Sequence, residues 1–528
     1  MNRIYIEIIF IWLVVTSTAF TTVAQTRFQK VFGDSIDSRS IGQVRATPDG
    51  YVATASGSTT LTLDNVLVLK MNIEGDILWA KHFGGITQDY GSTVTLTPDN
   101  NYLVTGATSS YGQLGFNMYA LKLSSSGTLQ WSRSYGWNGW EFSNACTPSI
   151  DNGYYLVGAG DSIGQGLNDF YLVRIDSIGN MLWARTYGGA QEDICQAVVA
   201  SEDGGAVMAG YTESFGASDK DIYLVKVDNL GDTLWTHTYG GSGEEIAYSV
   251  LNSTDGGTVV CGHTASFGAG GKDIFLMKVD SMGSFLWAKT YGNGSPWDEL
   301  NATMQATNDN GFIITGRVFI NNVAEHLYAI KVDINGDTLW TQYYGADSSP
   351  DYGISVDTTA DGGFIFAGLT ASFGPGPNSI YLVKTDGQGF SGCYEKNTNT
   401  IVGNAPFIIG FTTTGIDSGG SEVNVNSQFD SLFLVEDSLC LSTGIEHLVL
   451  QGDIPYIYPN PASSTFTIQG NFALPAVLEL YDLTGRQVYR KQVTSNQQQV
   501  DVDKFANGLY IYRLVSDGKA ARGKIVKK

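Results

Sequence analysis

An all-β chain built from seven four-stranded units is predicted by three observations. A tryptophan recurs at Trp79, Trp131, Trp183, Trp235, Trp287 and Trp340, in steps of 52 or 53 residues. An aspartate-led turn recurs seven times, at Asp49, Asp99, Asp151, Asp203, Asp255, Asp309 and Asp361. The 528 residues include 64 glycines but only 12 prolines, and 16% are charged, which suits a turn-rich folded chain and not a disordered one.

The chain begins like an export signal. Arg3 gives a basic start, an apolar run covers Ile8 to Val15, and Thr22-Val23-Ala24 precedes Gln25. Residues 1–24 are therefore expected to be a signal peptide. The apolar run is too short to cross a bilayer, and no later segment is long and apolar enough.

The fifth unit shows the full pattern. Ile246–Val250 reads as a first strand and Asp255-Gly256-Gly257 as a tight turn. Thr258–Gly262 is a second strand, Ser266-Phe267-Gly268 opens a loop, and Ile274–Val279 is a third. Asp280 to Gly283 turns the chain into Leu286–Tyr291, the fourth. Four short antiparallel strands in about 52 residues are one blade of a β-propeller. The third strand has seven copies, but the tryptophan strand has six. The N-terminal run Phe28-Gln29-Lys30-Val31-Phe32-Gly33 fits the gap, with Phe28 at the tryptophan position and Phe32 at the following aromatic. Residues 25–393 are thus expected to form a seven-bladed β-propeller in which the N-terminal strand closes the last blade, because an open sheet edge invites aggregation. The tryptophans are expected to pack between blades. Residues 394–450, rich in Asn, Ser, Thr and Gly, read as a connector that packs on the blades or stays apart.

The unit resembles the bacterial β-propeller repeat family of secreted proteins over about residues 27–393. The resemblance rests on the Asp-Gly-Gly turn, the strand Tyr223 to Asp228, and the turn formed by Asp228, Gly231 and Trp235. It implies a fold and no particular activity. The segment 451–528 resembles the type A sorting domain of the type IX secretion system of Bacteroidota. Its marks are Tyr458-Pro459-Asn460-Pro461, the run Val477 to Arg486 containing Gly485, Asn507-Gly508-Leu509-Tyr510, and the basic end Lys524 to Lys528. Read by itself, the segment is a small β-sandwich. The resemblance implies handling by the type IX secretion machinery, and release from the cell or display on the outer membrane.

Charge narrows the partners. The net charge is −22, and residues 451–528 carry ten Lys/Arg against six Asp/Glu, leaving the first 450 with 20 against 46. Such an acidic body is not built to bind nucleic acid. Of the five cysteines, Cys261 lies in an apolar strand, while Cys393 and Cys440 are candidates for a disulfide after export. None forms a CxxC pair, and the five histidines show no metal or triad spacing.

Candidate sites are few. Gly160-Asp161-Ser162-Ile163-Gly164 fits the nucleophile-elbow spacing. Ser162, however, aligns with the loop serines Ser110, Ser214, Ser266 and Ser372, so no catalytic residue is assigned. The Asp-x-x-Gly-x-x-x-Trp turn also resembles a quinoprotein docking motif, but those propellers have eight blades and a dedicated cofactor site. An acid opens each unit: Asp37, Asp89, Glu141, Asp193, Glu245, Asp298 and Asp351. These acids either bind a cation such as calcium at a channel mouth or fix loops by accepting backbone N–H groups. Tyr111, Phe215, Phe267 and Phe373 follow the second strands and are candidate ligand contacts, with burial under their own loops as the alternative. Three functions remain: a binding module for glycans or envelope proteins, a structural or adhesive spacer, and a polysaccharide hydrolase or lyase. Identical acids in every unit argue against a specialised catalytic pair. Deleting residues 26–33 is expected to unfold the repeat domain; a melting temperature equal to the wild type's would show that this strand closes nothing.

Overall fold

The computed structural model describes residues 25–528 apart from 34–39, 58–62, 162–163, 165, 218, 295–301, 321–323, 348, 375–377, 413, 426–427, 432–434, 444–455, 459–461, 471–472, 483–485 and 517–518. The described residues are all β and contain no helix. They divide into two compact units, the first ending at Thr443 and the second running from Gly444.

In the first, four antiparallel strands repeat in chain order. The fifth unit is Glu245–Asn252, Thr258–Thr264, Asp273–Val279 and Phe285–Gly292, each paired with the next. The first strands lie side by side in succession: Ser40–Thr47, Asp89–Leu96, Gly139–Pro148, Asp193–Ala200, Glu245–Asn252, Thr303–Ala306 and Asp351–Thr358. The succession returns to its start, since Asp351–Thr358 packs on Ser40–Thr47. There Asp357 Oδ2 accepts the Ala46 N–H at 2.8 Å. The seventh unit takes its outer strand from the N-terminus: Thr26–Gly33 pairs with Ser379–Thr385, Phe28 opposite Lys384.

The aspartate-led turns have a physical reason for their aspartate. Every third strand carries one cation near its end, and that cation reaches the turn. The pairs are Lys70–Asp49 (2.7 Å), Lys122–Asp99 (2.9 Å), Arg174–Asp151, Lys226–Asp203 (3.2 Å), Lys278–Asp255 (2.5 Å), Lys331–Asp309 (2.8 Å) and Lys384–Asp361 (2.9 Å). The stems of these cations lie among apolar neighbours while their charged ends meet the turn. Where glycine is missing after the aspartate, Asn100, Asn152 and Asn310 take its left-handed backbone, at φ of 57°, 66° and 62°.

One contact joins successive units. The would-be Cβ of Gly127, Gly179, Gly231 and Gly389 lies 2.8–2.9 Å from the ring of the preceding unit's Trp79, Trp131, Trp183 or Trp340. Only glycine lets the turn approach that closely. Phe28 does the same at Gly75, with its ring 2.6 Å from the missing Cβ, so the N-terminal strand carries an authentic copy of the junction. The next aromatic adds a hydrogen bond: the hydroxyls of Tyr135, Tyr187, Tyr239, Tyr291 and Tyr344 donate to the carbonyls of Gly179, Gly231, Gly283, Gly336 and Gly389 at 2.5–2.7 Å.

The stretch read as a connector supplies strands instead. Glu395–Asn397 pairs with the outer strand of the sixth unit, Ile401–Asn404 with the fifth, and Ile408–Phe411 with the fourth. Gly415–Ser418 pairs with the third, Ser421–Asn424 with the second, Gln428–Ser431 with the first, and Val435–Thr443 with the seventh. The chain thus runs backward past all seven units, adding one edge strand to each. Side chains anchor it: Arg133 Nε meets Glu422 at 2.9 Å, and the Thr236 hydroxyl donates to the Thr412 carbonyl at 2.7 Å. A disulfide between Cys393 and Cys440, 47 residues apart, joins its start to its last strand.

The second compact unit has two sheets. Tyr456–Tyr458, Thr465–Gln469 and Gln497–Asp501 form one; Gln487–Val493, Ala476–Tyr481, Gly508–Ser516 and Lys519–Lys527 form the other. Phe466, Ile468, Leu478, Val500 and Leu514 fill the core between them.

Closing a loop of this length removes denatured-state entropy worth about 4 kcal/mol. The double variant C393S/C440S is expected to lose stability up to that amount in a urea titration without reductant. Dithiothreitol is expected to lower the wild-type midpoint and leave the variant's unchanged.

Candidate functional site

The acids that open the units are buried. Asp89, Glu141, Asp193, Glu245 and Asp351 each have 0% relative exposure. Asp37 and Asp298 lie outside the described residues. Each carboxylate is used locally. Asp89 Oδ2 accepts the Gly85 N–H and the Ser110 hydroxyl, both at 2.7 Å, and Thr108 donates to Oδ1. Asp193 repeats this with Gly189 and Ser214, both at 2.8 Å. Asp351 takes Ala346 N–H at 3.1 Å and Ser372 at 2.8 Å, with Thr370 donating to its other oxygen. Glu245 accepts Gly241 N–H at 2.8 Å and Thr264 at 2.7 Å, and Glu141 accepts Trp137 N–H at 3.1 Å. The N–H donor comes from the end of the preceding unit, so each acid ties two units together. For the alternative of a calcium site, no three His, Cys, Asp or Glu side chains are grouped to hold a metal ion among the described residues, which leave out Asp37 and Asp298.

Burial is costly for these carboxylates. It pushes Asp351 up to about 6 against the hydrogen bonds from Thr370 and Ser372, and it raises Asp89 and Asp193 too. Asp221, at the head of a third strand, also rises to about 6 through burial, with the charge of Glu245 adding to it.

The four loop aromatics turn inward. The Tyr111 hydroxyl donates to the Gly84 carbonyl at 2.7 Å, and Phe215 packs on Tyr223 with ring centroids 5.6 Å apart. Phe267 meets Phe407 of the added edge strands at 5.3 Å, and Phe373 meets Tyr394 at 4.8 Å. The contacts of Phe267 and Phe373 follow from residues 394–450, whose path the repeat pattern does not predict, while Tyr111 and Phe215 are held within the repeat.

A cavity of about 320 Å³ lies among the seven first strands, with Gln43, Arg45, Gln196, Tyr248, Gln305 and Asp357 on its wall. A different cluster is exposed. Between the second and third units, the rings of Tyr90 and Phe116 stack at 5.7 Å and 25°, and Phe116 meets Trp140 at 5.0 Å. Trp140 is 57% exposed and Trp137 is 47% exposed. The signal was present in the alignment of repeats. Trp137 stands where Gly85, Gly189, Gly241 and Ala346 stand in sister units, and Trp140 where Gln88, Glu192, Glu244 and Pro350 stand; in the sixth unit Asn293 and Trp297 hold these places.

At the C-terminus, Tyr458 lies in the strand Tyr456–Tyr458, and Gly508 opens the strand Gly508–Ser516. The Tyr510 hydroxyl donates to the Ala506 carbonyl at 2.8 Å. Pro459, Asn460, Pro461 and Gly485 lie outside the described residues. Residues 456–528 match the family described as the secretion system C-terminal sorting domain. The chain is exported by the type IX secretion system, to the cell surface or the medium. No curated protein matches. Among solved structures, a protein of unknown function from Dyadobacter fermentans is 11% identical, with a TM-score of 0.38 over 69% of this chain and 99% of that one. The extracellular domain of a putative one-component system from B. thetaiotaomicron is 10% identical, with a TM-score of 0.24 over 93% of this chain and 68% of that one. A GH43_12 protein from a capybara gut metagenome is 9% identical, with a TM-score of 0.23 over 96% of each chain. No helix among the described residues is long and apolar enough to cross a membrane.

A carboxyl group raised on folding adds stability below its unfolded value, and that stability is lost as pH rises through the folded value. Asp221 and Asp351 therefore favour the folded state near pH 4 and cease to do so above about pH 6. The wild type's melting temperature is expected to fall more steeply between pH 4.5 and 7.5 than that of D221N/D351N; equal slopes would contradict this.

Proposed function

We propose that the seven units are the blades of a seven-bladed β-propeller, and that this propeller is a binding module for glycans or envelope proteins, exported to the cell surface or the medium. The return of the seventh first strand onto the first supports the blade count. The observation that carries the binding reading is the break in the repeat at one junction. A spacer needs seven equivalent blades, whereas this chain exposes two tryptophans at one junction, Trp137 and Trp140, where three sister units carry glycine and Gln or Glu. Exposed aromatics gathered at one place are a feature of binding surfaces. The acids are engaged in loop contacts, so the reading assigns no catalytic step to them.

Export and binding are tested together. The full chain is expected at the cell surface or in the medium, and a chain ending at Thr443 in the periplasm, by fractionation and immunoblot. Purified protein is expected to bind cells lacking its gene saturably, and non-saturable uptake would favour the spacer.

A further inference from the structure

We propose that Tyr90, Phe116, Trp137 and Trp140 form a stacking platform for the pyranose rings of a neutral polysaccharide; the proposal rests on the binding reading above and gives it a site and a ligand class.

The platform is built, not incidental. Two positions, Phe116 and Trp137, depart from every sister unit at one place. Phe116 replaces the Asp64, Asn168, Lys220 and Lys272 of sister units, and Leu114, beside it, is 81% exposed. Trp137 replaces the glycine of three sister units, where a Cβ at Gly85, Gly189 or Gly241 would lie 2.4–2.7 Å from the Cβ of the loop serine, and the Ala346 of the seventh. Trp140 replaces the Gln88, Glu192 and Glu244 of three sister units, and in the sixth Trp297 stands at the same place, directly before Asp298. Gly115 and Gly139 bring the third strand of the second unit alongside the first strand of the third in a short parallel pairing, with Trp140 opposite Phe116. A Cβ on Gly115 would sit 1.9 Å from the Gly139 carbonyl oxygen, so glycine is required for the approach. The Trp140 N–H is fixed by Asp161 Oδ1 at 2.7 Å.

Fold maintenance does not account for this. The other units carry polar residues at the position of Phe116, and exposed tryptophan gains little from folding. The chemistry of the surface selects the ligand. Aromatic faces carry partial negative charge and attract the weakly positive C–H faces of sugar rings. The exposed Asp161 carboxylate at the rim accepts hydrogen bonds from hydroxyls. The acidic body repels anionic polymers, nucleic acids and anionic lipid surfaces, which favours neutral glycans over acidic ones.

The test is affinity electrophoresis of the purified full chain in gels containing galactomannan, xyloglucan, xylan or laminarin, together with tryptophan fluorescence on titration. At least one polymer is expected to retard the wild type and shift its emission. W137A/W140A is expected to bind at least tenfold more weakly at an unchanged melting temperature. F116K, which installs the lysine of the fourth and fifth units, tests the platform with a residue the fold already accepts and is expected to weaken binding likewise. Retardation unchanged in both variants would overturn the platform and leave the binding module intact. No retardation of the wild type by any of the four would overturn the glycan assignment, and the module would then be judged by saturable binding to cells.

Discussion

At each junction between neighbouring units, an aromatic ring from one outer strand lies on a glycine in the next unit's turn, and a tyrosine hydroxyl commonly bonds the same glycine's carbonyl. The tryptophan supplies apolar area, the glycine supplies the approach, and the tyrosine satisfies a backbone acceptor that the packing would otherwise strip of water. Trp183, Gly231 and Tyr187 show all three parts at one junction. Neither partner works alone. Any side chain at the glycine would push the units apart, and a smaller residue in place of tryptophan would leave the turn resting on nothing. Phe28 against Gly75 extends the same logic to the N-terminal strand, with phenylalanine filling the indole's place.

A unit held only to its neighbours would still expose the backbone of its outer strand. The seven strands of residues 395–443 cover that edge on every unit. Each is short and contributes few hydrogen bonds, so their individual stability is small. Three features compensate: covalent continuity along the path, the disulfide joining its ends, and apolar plugs such as Phe407, which sits among Phe267, Phe275 and Phe285. The new outer edge is again open, but it is broken into pieces of three to nine residues, a form that offers little template for pairing with another chain.

What could be read from the sequence divides along physical lines. Strand order, the aspartate turns and the pairing of Phe28–Phe32 with the last unit were legible because they repeat, and repetition averages out local accident. The buried role of the unit acids was legible only as an alternative, since an acid that caps a loop and an acid that holds calcium look identical in one dimension; the hydroxyls of Thr108 and Ser110 decide it for Asp89 only in three. The path of residues 394–450 was not legible. Pieces such as Phe407-Ile408-Ile409 carry too few residues to show a period, and their partners lie far away, Gly240 being opposite Ile408. The inward turn of Phe267 was hidden for the same reason, because its partner Phe407 belongs to that path.

The repeat has a further use as an internal reference. Where seven segments solve one packing problem, the common solution at each position is what folding requires, and a departure needs another cause. Some departures are neutral, such as asparagine for glycine at residue 100, where the side chain tolerates the left-handed backbone. The departures at residues 116 and 137 differ in kind. They lie at one junction, and with Trp140 they put aromatic side chains where the first, fourth and fifth units carry glycine and polar residues. A substitution that merely drifted would be under pressure to return toward burial or polarity. Neighbouring side-chain changes toward exposure fit the proposed surface for contact with something outside the chain.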